Sequence, residues 1–174
     1  MDKKVDIIKD INGNRIVVIN DLRFKGRRSV NWCIVEECLK KYIGECTEIV
    51  ETSDKVYIGT DFPDEFAHSK DTKALRGANL YAKANSSSII KEMIEIATNK
   101  TFADNYAQKH NVDARFGWYR YDTRFAIPIY NDECNLVRYN VFMARILLRH
   151  AQDGKLYLYD VLRTKKETSK PLEQ

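Results

Sequence analysis

The sequence predicts an α+β fold, with helices packed on a small antiparallel sheet whose C-terminal part is a three-stranded meander. Three observations predict it. Residues from 118 onward alternate polar and apolar side chains in long runs broken by turn signals. The middle of the chain carries apolar residues at helical spacing instead. The chain has 174 residues, 44% of them hydrophobic and 11% aromatic, enough for one packed core and too apolar for disorder. A single domain over 1–174 is expected. Its parts are a strand, helix and hairpin over 1–60, a helical part over 61–112 and the antiparallel sheet over 113–174.

Residues 14–20, NRIVVIN, follow the turn signal Asn12-Gly13 and read as a strand. After the basic loop DLRFKGRR, Ser29 can cap a helix over about 30–42. Trp32, Val35, Leu39 and Tyr42 share one face of it, and Gly44 ends it. CTEIVET and KVYIGT, joined by Ser53-Asp54, read as a hairpin. Residues 61–71 read as a polar loop with Pro63. Three helices should follow, over about 72–85, from about 86–88 through Ala97, and over about 101–110. In WYRYDTRFAIPIY, Tyr119, Tyr121, Thr123, Phe125 and Ile127 should face one way, and Trp118, Arg120, Asp122 and Arg124 the other. LVRYNVFMARILLRHA and KLYLYDVL complete the sheet, separated by the tight turn QDG.

The net charge of +4 is unevenly placed. From Arg115 to Gln174 there are eleven Lys/Arg against seven Asp/Glu, and residues 1–114 are neutral. This local excess favours an anionic partner. Cys33, Cys38, Cys46 and Cys134 show no metal-binding spacing and read as reduced thiols. His68, His110 and His150 show no ligand spacing, so neither metal nor cofactor is expected. No apolar run is long enough for a membrane span, and the N-terminus has no signal-peptide pattern. No phosphate-binding glycine loop, zinc-protease motif or nucleophile elbow is present.

The chemistry that can be read from the residues lies in the last third. His110, beside Lys109 at the end of the third predicted helix, can serve as a general acid or base. It can equally be a helix-end histidine that complements the dipole. Arg120, Arg124 and Arg145 can hold a phosphate, or pair with neighbouring acids on a solvated face. Tyr157 and Tyr159 share a strand face that Arg163 and Lys165 continue, which suits stacking and phosphate binding as well as cross-strand packing. RNA brings its own nucleophile, the 2′-hydroxyl. Cleavage without a metal then needs only an acid/base and cationic stabilisers.

Several whole phrases resemble the nuclease-like domain of phage and conjugative-element proteins in the barnase–EndoU–colicin–RelE-like group, which occurs within large polyvalent proteins. They are RFKGRRS…W, YIGECTEIVETSDKVYIGTDFPDEF, FGWYRYDTRFAIPIYND, RYNVFMARILLRHAQDGKLYLYDVL and KKETSKPL. The resemblance spans about residues 14–172. It implies helices on a small antiparallel sheet and a metal-independent ribonuclease, used as a toxin or effector in the bacterial cytoplasm. It further implies His110 as acid/base, and Arg145 and Arg120 on the scissile phosphate. Tyr159 and Lys165 would complete the site, with Thr168 or Ser169 as a polar helper. Arg124, Tyr121, Tyr157 and Arg163 would contact substrate. The implied partners are RNA and a cognate immunity protein or the parent element's protein, with no membrane. The alternatives are a non-catalytic RNA- or protein-binding module, or an immunity or inhibitor protein.

Overall fold

A computed structural model describes residues 5–25, 29–103 and 114–167. Its centre is one eight-stranded mixed sheet that curls into a half-barrel. Strand outweighs helix, 41% against 26%, so the expected small antiparallel sheet under helices is corrected. The strands are β1 (Val5–Lys9), β2 (Arg15–Ile19), β3 (Cys46–Glu48), β4 (Lys55–Tyr57), β5 (Thr98–Ala103), β6 (Trp118–Tyr130), β7 (Leu136–His150) and β8 (Leu156–Lys166). Their order is β1-β2-β6-β7-β8-β4-β3, with β5 also paired to β6. Two parallel pairings, β2 with β6 and β4 with β8, fuse the N-terminal hairpins to the long strands. These joins link segments roughly a hundred residues apart, and local alternation carries no trace of them.

Strand β1 was not expected. It pairs with β2 through a turn in which Asp10 Oδ1 accepts the N–H groups of Asn12 and Asn14, and Gly13 adopts φ 81°. The long strands alternate as their sequences imply. Tyr121, Thr123, Phe125 and Ile127 of β6 are buried on the helix-facing side, opposite Ile146, Ala144, Phe142 and Asn140 of β7. Phe125 and Phe142 stack with centroids 5.5 Å apart. Strand β8 runs longer than KLYLYDVL, and the β7–β8 register shifts twice.

Among the described residues five α-helices pack against the sheet: α1 (Trp32–Leu39), α2 (Phe62–His68), α3 (Lys70–Ala74), α4 (Gly77–Ser86) and α5 (Ile90–Glu95). Asn31, not Ser29, caps α1 by accepting the Cys33 N–H. Residues 62–68, read as a loop, form α2. Pro63 sits in its first turn, where a missing N–H costs nothing, and Phe62 and Phe66, one turn apart, are fully buried. The helix expected over 72–85 breaks into α3 and α4 at Leu75–Arg76, where the backbone is extended. Of the helix expected over 101–110, residues 101–103 belong to β5 and 104–110 lie outside the described residues. The main core joins α1, α2, α4 and α5 to β2, β4, β6, β7 and β8. Among the described residues no helix is long and apolar enough to cross a membrane.

Candidate functional site

Strand alternation separates the expected site residues. Arg120, Asp122 and Arg124 of β6 stand on the face of the sheet turned away from the helices. Arg145 of β7 and Lys165 of β8 share that face, opposite Asp122 and Met143 respectively. Arg145 Nε lies 3.4 Å from Asp122 Oδ1, and its side chain is 48% exposed. Arg145 thus pairs with a neighbouring acid on an open face. Lys165 is exposed, and Arg120 stands across from Leu147.

Arg124 is a structural clamp. It donates from Nη1 to Asp10 at 2.7 Å, and from Nε and Nη2 to Glu167 at 2.7 and 3.0 Å. These bonds, Glu167 first, raise its pKa further and tie the β1–β2 turn to the end of β8. Tyr121 is also corrected as a substrate contact, because it is fully buried. Its hydroxyl donates to Asp54 and lies 3.0 Å from Thr52 Oγ1. Burial, and then Asp54, push that phenol's pKa up.

Tyr159 packs edge-on against Trp118 at 5.0 Å, and burial followed by Glu65 raises its hydroxyl to about 12. Tyr157 donates to Asp153 at 2.6 Å and lies under the Arg149 guanidinium, 4.2 Å from its ring centroid. Arg163 adopts φ 55° at a register shift, where its N–H donates to Asp71 at 2.9 Å. His110 and Thr168 lie outside the described residues.

The structure brings a different set together at the rim of the sheet. An open cleft of about 330 Å³ lies where the β3–β4 turn, β5 and the β7–β8 turn meet. Lys55, Lys100, Lys155 and His150 line it with Tyr57 and Tyr119, and among the described residues Asp54 is the one carboxylate in its wall. Each element sets one group. Asn99, at φ 60°, marks the irregularity of β5 that precedes Lys100, whose Nζ stands 4.4 Å over the Tyr119 ring. Gly154, at φ 83°, makes the tight turn before Lys155, whose Nζ stands 4.9 Å over Tyr57. His150 ends β7, with its ring 5.1 Å from that of Phe116 and 5.8 Å from that of Tyr119. Its Nε2 lies 3.2 Å from the Gly154 carbonyl oxygen and donates to it.

Asp54 accepts from Lys100 Nζ at 2.7 Å and from the Tyr121 hydroxyl. Burial raises its pKa, but these two donors outweigh burial and hold the carboxyl below its ordinary range. Four basic groups therefore face one neutralised acid, in a cleft with two aromatic walls. Such a concentration of positive charge suits an anion. No local motif announces it, since Lys55, Lys100 and Lys155 come from three distant segments that meet through the β4–β8 and β5–β6 pairings.

One group of possible metal ligands occurs among the described residues. Glu36, Asp64 and His68 hold their donor atoms within 4.8 Å of one another, on α1 and α2. His68 Nε2 and Glu36 Oε1 are already paired at 2.9 Å.

No protein-family model, curated protein or solved structure matches this chain.

Proposed function

We propose that this chain is an RNA-directed effector domain of a phage or mobile element. It holds single-stranded RNA in the rim cleft and cleaves it without a metal. One observation carries this reading: Lys55, Lys100, Lys155 and His150 converge beside Tyr57 and Tyr119 against a single carboxylate. Ammonium groups hold phosphates as point charges, and tyrosine rings stack on bases.

In the neutral His150 ring, donation from Nε2 to the Gly154 carbonyl leaves the Nδ1 lone pair to accept a proton. His150 takes the proton of a 2′-hydroxyl as that oxygen attacks the adjacent phosphorus. The bond from phosphorus to the 5′-oxygen then breaks, that oxygen takes a proton from water, and His150 releases the proton it gained to solvent, giving a 2′,3′-cyclic phosphate and a 5′-hydroxyl end. Lys100 and Lys155 stabilise the charge that builds on the phosphoryl oxygens. His110 is the alternative acid/base from the sequence.

A second reading is an RNA-binding module without catalysis. It draws on the closed hydrogen bonding of the site, where Asp54 holds Lys100 and Gly154 holds His150. The test is incubation with total bacterial RNA in EDTA, comparing wild type with His150→Ala, His110→Ala and the Lys100→Ala/Lys155→Ala pair. Cleavage with cyclic-phosphate ends, lost in His150→Ala, is expected. Intact RNA with wild type sinks the catalytic reading. Cleavage retained by His150→Ala and lost in His110→Ala moves the acid/base to His110.

A further inference from the structure

Lys83 and Asp160 lie outside the rim cleft and have no part in its chemistry. Lys83, in the last turn of α4, is fully buried, and Asp160 of β8 is 1% exposed. Lys83 Nζ lies 3.0 Å from Asp160 Oδ1 and 3.1 Å from Asp71 Oδ2 of α3. It also stands 4.9 Å over the Phe66 ring, which closes the site on its apolar side. Two carboxylates thus face one fully buried ammonium, one of them, Asp160, buried and the other, Asp71, partly open to water. Such a site carries a net negative charge at high desolvation cost. Burial pushes the Asp160 carboxyl up to about 6 against the lowering pull of Lys83, so its acid form is within reach near neutral pH.

We propose that Lys83 and Asp160 become joined by an intramolecular isopeptide bond, with Asp71 as the proton carrier. The ammonium passes a proton to Asp71, and the neutral Nζ attacks Cγ of protonated Asp160. The C–N bond forms, the C–O bond to one Asp160 oxygen breaks, and that oxygen leaves as water. Of the three ammonium protons, one passes to Asp71 and on to solvent, one stays on the amide, and one departs in the water together with the proton that Asp160 carried. Nothing is oxidised or reduced, and no co-reactant is needed. The buried ammonium and carboxylate both disappear, leaving a neutral amide. Asp71 remains, with 18% of its side chain exposed and its Oδ1 accepting the Arg163 N–H. The bond would tie α4 to β8 across 77 positions of sequence, a cross-link that restricts the unfolded chain as a disulfide does.

The test is the mass of the intact purified chain under denaturing conditions, followed by fragmentation of a protease digest. The expected mass is lower than that of the sequence by one water, with a branched peptide joining the segments that hold Lys83 and Asp160. Lys83→Met and Asp160→Ala should each show their full mass, whether or not they fold. Asp71→Ala should show slowed or absent linkage with an unchanged circular dichroism spectrum. A wild-type chain at full mass, with an unmodified Lys83 peptide, overturns the proposal. So does loss of water confined to a succinimide at Asp153-Gly154.

Discussion

Asp54→Asn should tighten RNA binding, although it adds no contact to the ligand. Lys100 Nζ is held by Asp54 at 2.7 Å, and both side chains are partly exposed, at 33% and 25%. Lys100 therefore carries its own counter-charge in the free protein and displaces few solution ions when RNA arrives. Asparagine is nearly isosteric, and its carbonyl still accepts from the Tyr121 hydroxyl, so the rim keeps its shape. It removes the competing charge, and a partly exposed pair of this kind is worth about 1 kcal/mol, or roughly fivefold in affinity. Each phosphate neutralised on a single strand contributes about 0.7 to the slope of log affinity against log salt. Freeing Lys100 should steepen that slope by about 0.7. The assay is fluorescence anisotropy of a labelled single-stranded RNA over a potassium chloride series. An unchanged or weaker affinity for Asp54→Asn, with circular dichroism intact, refutes the placement of RNA against Lys100.

Further outcomes are expected. Arg145→Ala and Arg120→Ala, on the opposite face of the sheet, should leave RNA affinity and cleavage within about twofold, because surface charges away from the contact add little. Loss of cleavage in Arg145→Ala would return the site to that face. Arg124→Ala breaks three charge-assisted bonds to Asp10 and Glu167. It should cost about 1–3 kcal/mol in urea denaturation and leave RNA binding unaffected. Phe125→Ala opens a cavity beside Phe142 and should cost about 3–5 kcal/mol.

Acid sensitivity follows from Asp54. Its folded-state pKa is depressed, so its contribution to stability is present above the ordinary value of 3.8 and is lost as pH falls through the folded value. Denaturation measured from about pH 5 down to about pH 2 should show a shallower acid loss for Asp54→Asn than for wild type. Parallel curves would remove Asp54 from that role.

The faces of the long strands were legible in the sequence. Strict alternation in WYRYDTRF separates Tyr121, Thr123 and Phe125 from Arg120, Asp122 and Arg124, and burial follows that division. The size and mixed character of the sheet were not, because they rest on two short parallel pairings, Val17 with Phe125 and Val56 with Leu156. Helix α2 hid behind Asp61, Pro63, Asp64 and Glu65, whose polarity suggests a loop. The buried pair Phe62 and Phe66, with proline at a helix start, was the signal that could have found it.

The functional residues were missed for a related reason. Arg145 could be read as a phosphate ligand or as a paired surface charge, and it pairs with Asp122 on an open face. Lys55, Lys100 and Lys155 carry no local pattern that sets them apart from other lysines. Their meeting depends on β4 lying parallel to β8 and on β5 pairing with β6, which is tertiary information.

The central claim is that RNA binds in the rim cleft. Its most direct test is the dissociation constant of a labelled single-stranded RNA for wild type and for the Lys55→Ala/Lys100→Ala/Lys155→Ala variant, at one fixed near-physiological salt concentration. The account predicts a loss of about tenfold or more, a salt slope flatter by about 1.4 from Lys55 and Lys155, and circular dichroism that shows both proteins folded. Equal affinities and equal slopes for two folded proteins would contradict it.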